Sequence, residues 1–306
     1  MIKMRIEEKY GPWTAHNFSL GHDVFTIRNE VVGDEIKLRR IVQIVADVCR
    51  RPTSDLKVLD LACLEGMYSI EFASQGARVC AIEGRETNLE KARFAAQVLA
   101  LDNIVFHHDD VRNLREETHG RFDVVLCLGI LYHLNDPDIF SFLENVFTVC
   151  QHVALIDTHI SLHPVQSFVH KGKTYWGTTV DEHAPEASLE EKQKALWASL
   201  DNQTSTYFTQ SSLYDLLYDI GFTSVYECHV PQEPQKPSDR ITIVAIKGKT
   251  LSPVTCPQLP PEYARFSHNE TTSEPGFCSQ YPWKKLWSAN RFLPRKFKHW
   301  VKRMLR

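Results

Sequence analysis

Between residues 57 and 156, short apolar runs and helix-periodic stretches take turns, and few folds accept a chain patterned in that way. Residues 57–61, 78–82, 103–106, 122–128 and 153–156 read as strands. Residues 65–74, 86–100 and 137–149 read as helices, the second with Leu89, Ala92, Ala96 and Leu99 on one face. Strands separated by helices in this rhythm imply a parallel sheet covered on both faces. A preceding helix is expected from Asp34, its cap, with Ile36, Ile41, Ile44, Val45 and Val48 recurring until Arg51-Pro52 stops it. Near the other end, Thr209 or Ser211 caps a helix carrying Leu213, Leu216 and Leu217, and Gly221 closes it. Residues 222–230 and 240–246 then read as two strands. The link PQEPQKPSD is too short for a parallel crossover, so they pair antiparallel.

The expected fold class is therefore α/β: a doubly wound, mostly parallel seven-stranded sheet with a terminal antiparallel hairpin. The pattern divides the chain into an N-terminal extension (1–34), a central domain (35–250) and a Pro-, Ser- and Thr-rich linker with a basic tail (251–306). Within the central domain, residues 159–208 lack a clear period and read as an insertion after strand five.

Ligands of open α/β sheets sit at the carboxyl ends of the strands. The first strand and its turn read VLDLACLEG (58–66), with Asp60 at the strand end, a tight turn through Ala62 and Cys63, and Gly66 at the helix entrance. Small residues here let backbone amides approach a ligand. The second strand ends at Glu83, whose carboxylate suits a pair of ribose hydroxyls. HDDVRNL after the third strand offers Asp109, Asp110 and Val111 to an adenine ring, and the fourth ends at Leu128 and Gly129, where the glycine leaves room.

In these residues the chain resembles the Rossmann-like S-adenosylmethionine-dependent methyltransferases, over roughly residues 35–250. That family carries DxGxGxG after strand one, acidic residues after strands two and three, and a hairpin at the end of the sheet. The resemblance implies S-adenosyl-L-methionine as cofactor and methyl transfer to oxygen or nitrogen of a small organic acceptor. Ala62 and Leu64 depart from the pattern, standing where the family has glycine. Alanine costs little at 62 if its φ is negative, Leu64 brings a side chain to the turn, and a shifted turn is expected to accommodate them. GILYHLNDP (129–137) is also similar to methyltransferases that modify the wobble uridine of transfer RNA, which keeps that activity as an alternative. A non-catalytic cofactor-binding scaffold is a second one.

Methyl transfer from a sulfonium is an in-line displacement that the protein mainly positions, with a base for a hydroxyl acceptor. His133 after strand four, and Asp157 and His159 ending strand five, are the catalytic candidates. Tyr132, Tyr175 and Trp176 (the last two in KTYWG) and His183 are the candidate acceptor contacts, most of them in the insertion. Glu182 and His183 beside Asp157 and His159 match no metal-site spacing, and no metal is expected.

Composition is that of an ordinary globular chain, 43% hydrophobic and 24% charged. No apolar leader precedes residue 34, and the longest apolar runs, such as 124–132, are far shorter than a bilayer span. A soluble, cytoplasmic protein is expected. Eight cysteines without a CxxC pair fit packing better than zinc or redox chemistry; only Cys256 and Cys278 are placed to pair. From Lys284 to Arg306 there are nine basic residues and no acidic ones, so the body carries the excess acid behind the net charge of −3. Phe297, Trp300, Val301 and Met304 fall at helical spacing within this tail, which suits docking on protein, a membrane surface or RNA. The sequence leaves the oligomeric state open.

Overall fold

A computed structural model describes residues 2–27, 36–229 and 236–250, all within one compact unit. Asp34, most of the link between the last two strands, Cys256, Cys278 and the basic tail lie outside the described residues.

The chain opens with α1 (Ile2–Tyr10) and α2 (Ile36–Cys49), then alternates: β1 (Lys57–Leu61), α3 (Met67–Ser74), β2 (Arg78–Glu83), α4 (Glu86–Val98), β3 (Ile104–His108). A short α5 (Glu116–His119), β4 (Phe122–Leu128), α6 (Asp138–Val149) and β5 (Cys150–His159) follow. After β5 come β6 (Gln166–His170), β7 (Lys173–Asp181), α7 (Leu189–Lys194) and β8 (Thr204–Phe208). The described elements end with α8 (Gln210–Ile220), β9 (Ser224–Glu227) and β10 (Arg240–Ile246).

Seven strands form one sheet in the order β3-β2-β1-β4-β5-β10-β9. The first five are mutually parallel, while β10 runs antiparallel to both β5 and β9. Alternation along β4 explains the double winding. Val125 and Cys127 enter a core with α6 and α8, whereas Val124 and Leu126 enter a second core with α2 and α3. Each cap falls where its chemistry puts it: Thr209 accepts from the Ser212 amide at the start of α8, and Gly221 ends that helix at a φ of 124°. Among the described residues no helix is long and apolar enough to cross a membrane.

Three regions differ from the sequence expectation. The N-terminal extension contains a helix, α1. Strand five is longer than its apolar centre, because paired residues continue to His159 along β10. The insertion is not irregular: β6, β7 and β8 form a separate antiparallel sheet. The apolar side chains its strands bury are Phe168, Tyr175 and Phe208; Tyr175 and Phe208 pack with Phe140 of α6, and Phe168 with Phe208. So sparse an apolar face leaves too weak a period to read.

Gly177 of β7 lies buried under β8. A Cβ there would overlap the carbonyl oxygen of Tyr207 and stand 3.0 Å from Phe208 Cα. Backbone cannot swing aside as a side chain does. Gly177→Ala is expected to destabilise the protein by about 1–3 kcal/mol, as overpacking does. Urea unfolding checks this, and an unchanged midpoint rejects the close packing of the two strands.

Candidate functional site

The carboxyl ends of β1, β2 and β4 open into a cavity of about 320 Å³, a size suited to a small organic ligand. Its floor is the turn after β1. Ala62, Leu64 and Gly66 have φ of 53°, 49° and 87°, so all three stand in the left-handed region. The turn is therefore not shifted. It keeps a conformation natural to glycine with alanine and leucine in two of the positions, at a cost of about 1–2 kcal/mol for each. The condition under which alanine would cost little at 62, a negative φ, is not met.

Side-chain acceptors hold the turn in place. Glu83, at the end of β2, accepts from the Leu64 amide at 2.9 Å and from the Arg85 amide at 2.9 Å, with Asn88 Nδ2 at 3.4 Å. The Cys63 amide donates to the Ile82 carbonyl. Glu65, fully buried, accepts from the amides of Thr14, Ala15 and His16 and from Lys91 Nζ. That carboxylate ties the N-terminal segment to the turn and places Ala15 and His16 in the cavity wall. The Met67 amide donates to His16 Nδ1. Burial lowers the His16 pKa to about 4, which keeps the ring neutral.

The expected ligand-facing residues divide. Ala62, Glu83, Asp110, Val111, Leu128 and Gly129 line the cavity, as do Tyr132 and His133. Of about four lone-pair sites on the Glu83 carboxylate, two are taken by short backbone bonds, which leaves capacity for ligand hydroxyls. Asp110 is held by Arg112 at 2.6 Å. Asp60, Cys63 and Gly66 do not line it. Asp60 is buried and accepts from Ser69 Oγ at 2.6 Å; Cys63 packs in the core; Gly66 lies so close to α4 that a Cβ would meet Ala92 Cβ at 2.9 Å. Asp109 is turned to its own loop, accepting from the Asp110 amide and Asn113 Nδ2.

The acceptor side needs larger corrections. Asp157 does not stand at the rim: its side chain is wholly buried beneath Lys37, Arg240 and Thr242. Burial alone would raise its pKa, but the two cations and the Thr242 hydroxyl hold it at about 2, so it is no proton acceptor near neutrality. His159 sits between the rings of Tyr132 and Tyr207, with Nδ1 2.9 Å from Asp239. Tyr175 points into the core and donates to Asp219 at 2.8 Å, and Trp176 is outside the cavity lining. His183 is occupied by the Ser199 carbonyl.

The wall contributed by the insertion comes instead from residues 196–202. Arg85 donates to the carbonyls of Gln193, Ala195, Ala198 and Ser199, and Leu200 fills the space over Gly84. This segment closes the Glu83 end of the cavity, a place the sequence reading had not given it. Glu182 was also missed as a partner: both its oxygens lie 3.0–3.1 Å from His133 Nδ1, and it accepts from the Ser199 amide. A carboxylate accepts only, so Nδ1 carries a proton, and in the neutral ring Nε2 is then the nitrogen with a lone pair. Glu182 immediately follows β7, and an acidic residue just past a strand end was the available signal. Among the described residues no three His, Cys, Asp or Glu side chains gather as a metal site.

The strand order, the left-handed turn and the carboxylate at the end of β2 define an α/β methyltransferase fold, and residues 58–152 match a family model described as a methyltransferase domain. The ubiquinone biosynthesis O-methyltransferase of Acinetobacter baylyi is 30% identical over 104 residues, 34% of this chain and 41% of that protein. The protein of the same name from Acinetobacter baumannii is 36% identical over 81 residues, 26% of this chain and 34% of that protein. The matches thus span less than half the length of either relative. Among solved structures, the N-terminal domain of EvdMO1 in the presence of SAH and D-fucose superposes with a TM-score of 0.61 at 24% identity. That match covers 81% of this chain and 96% of that one, and it establishes the fold.

Asp60 gives the site a pH signature. Burial raises its pKa to about 7, against the opposing Ser69 hydrogen bond. A folded pKa above the unfolded value of about 3.9 stabilises the protein at low pH, and that contribution is lost as pH rises to about 7. Asp60→Asn keeps an acceptor for Ser69 and is expected to flatten the stability profile between about pH 4 and 7, leaving the variant the more stable protein above it. Parallel wild-type and variant curves in denaturant titrations across that range would rule out a buried, protonated Asp60.

Proposed function

We propose that this chain transfers a methyl group from S-adenosyl-L-methionine to an oxygen of a small organic molecule. The observation that carries the reading is the left-handed turn at 62–66 pinned to Glu83 in the cavity lining. The residues fit the cofactor: Glu83 has acceptor capacity for ribose hydroxyls, Asp110 and Val111 flank the place for adenine, and Gly129 leaves open the space beside Tyr132. The relatives' names, both O-methyltransferases, support oxygen over nitrogen.

When bound, the cofactor supplies an electrophilic methyl on a sulfonium. The chain's part is placement and proton transfer. Glu83 orients the ligand over the turn; Tyr132 and Gly129 bound the space for the acceptor. His133, held in one tautomer by Glu182, takes the hydroxyl proton on Nε2. Burial would raise the Glu182 pKa, but its hydrogen bond with His133 lowers it, which keeps the carboxylate charged to orient the ring. Asp157 acts beneath the site by gathering Lys37 and Arg240. The cavity and its size support a small acceptor over transfer RNA, and the membrane or RNA contacts considered for the basic tail lie outside the described residues.

Calorimetry with S-adenosylmethionine and S-adenosylhomocysteine, followed by assay of S-adenosylhomocysteine formation over a panel of hydroxylated acceptors, tests the reading. Glu83→Ala is expected to weaken cofactor binding by about 1.5–3 kcal/mol. An unchanged affinity in a folded variant removes Glu83 from the cofactor site.

Glu182→Gln addresses the proton path. We expect kcat to fall by roughly 10- to 100-fold and the pH–rate profile to change, with cofactor affinity retained. Equal kcat values and overlapping profiles would show that His133 needs no oriented tautomer, and the dyad would lose its role.

A further inference from the structure

Charge is distributed unevenly around the cavity. The carboxylates that line it, Glu83, Asp110 and Asp201, all lie toward the ends of β2 and β3 or on the insertion segment facing them, where Arg85 and Arg112 also line the cavity and Arg112 pairs with Asp110 and Asp201. At the opposite end, where β4, β5 and β10 meet, the charged lining residues are Lys37 and Arg240. Their shared carboxylate, Asp157, has no exposed side-chain surface, whereas Lys37 and Arg240 keep 19% and 22% of theirs. One buried negative charge thus supports two cations that face the cavity.

The two cations are held in different ways. Arg240 directs Nε to Asp157 Oδ1 at 2.7 Å, which fixes the guanidinium plane. Its Nη2 lies only 3.5 Å from where a Cβ on Gly129 would stand, beside the Tyr132 hydroxyl at 3.7 Å from the same point. The Arg240 Cζ is also 5.5 Å from the Tyr132 ring centroid. The Nη edge is thereby presented over Gly129, on the side of the cavity that carries His133. Lys37 Nζ, 3.2 Å from the same Asp157 oxygen, adds a point charge. A planar fork beside an ammonium, next to a glycine that leaves space, matches the geometry of a carboxylate.

We propose that the methyl acceptor carries a carboxylate or a comparable planar oxyanion, bound by the Nη edge of Arg240 and by Lys37 beside Gly129. The inference rests on the methyltransferase reading and narrows its substrate class: an acidic hydroxylated molecule, with the anion at Arg240 and the hydroxyl toward His133.

The test uses the full chain saturated with S-adenosylhomocysteine. Hydroxybenzoates, hydroxycinnamates and sugar acids are titrated against it by calorimetry, each beside its own methyl ester. At least one acid should bind about tenfold or more tightly than its ester, since a charge-assisted bidentate pair is at stake. Arg240→Gln should abolish that preference, and Arg240→Lys, which keeps the charge but not the fork, should retain part of it. Both should bind S-adenosylhomocysteine within about twofold of wild type; if Arg240→Gln does not fold, Arg240→Lys and Lys37→Met carry the comparison. The proposal is overturned if no acid outbinds its ester. It is also overturned if the variants lose S-adenosylhomocysteine affinity in step with the acid, because the cations would then serve the cofactor's own carboxylate. Failure of the wild-type protein to bind S-adenosylhomocysteine at all is a separate outcome, which removes the functional reading and this inference with it.

Discussion

The hydrogen bond from the Leu64 amide to Glu83 joins the end of one strand to the turn after its neighbour, and the architecture of the cavity follows from it. Alanine and leucine resist the left-handed backbone that residues 62 and 64 adopt. The turn keeps that shape because its amides have fixed acceptors: Glu83 for Leu64, the Ile82 carbonyl for Cys63, and the Cys63 carbonyl for Gly66. Burial raises the Glu83 pKa, while the Arg85 and Leu64 amides oppose the rise. The same carboxylate that faces the ligand space is thus part of the scaffold that makes the space. Its desolvation is tolerable because both oxygens are hydrogen-bonded.

The order of elements was legible because period and punctuation are local. Strand alternation, the Thr209 cap and the Gly221 stop are each written within a few neighbouring residues, and β1, β4 and β10 fall at the expected positions. Backbone sign was not legible at residues 62 and 64, since glycine is the usual marker of a left-handed position and neither residue is glycine. Asp157 was misplaced for a different reason. What buries it is the convergence of Lys37, 120 residues away, and Arg240, 83 residues away, and no local pattern encodes a pairing of that span. Tyr175 and Trp176 suggested an acceptor wall by composition alone. The fold turns Tyr175 into the core and takes the wall from residues 196–202, a stretch with no period of its own.

Arg85 shows how such an aperiodic stretch is given a place. Four carbonyls from Gln193 to Ser199 converge on one guanidinium, whose position is set by the strand end behind it. Arg112 adds hydrogen bonds to the side chains of Asp201 and Asn202. Backbone carbonyls that would otherwise depend on water are satisfied by the Arg85 side chain. Residues 193–202 are therefore held in part by side chains that precede the insertion in the chain, beside bonds within the insertion such as that from the Ser199 amide to Glu182.

Glu65 has a consequence for the order in which the molecule can assemble. Residues 12–16 leave the ribosome well before the residues they bind. The amides of Thr14, Ala15 and His16 have their acceptor at Glu65, and the Pro12 carbonyl accepts from Lys91, 79 positions later. The amides of Thr14, Ala15 and His16 thus have no native acceptor until the turn after β1 exists, and the Pro12 carbonyl has no native donor until α4 does. Closing so long a loop is entropically slow compared with forming the helices inside it. One wall of the cavity, the part carrying Ala15 and His16, is accordingly made from the beginning of the chain but completed only after the centre has folded.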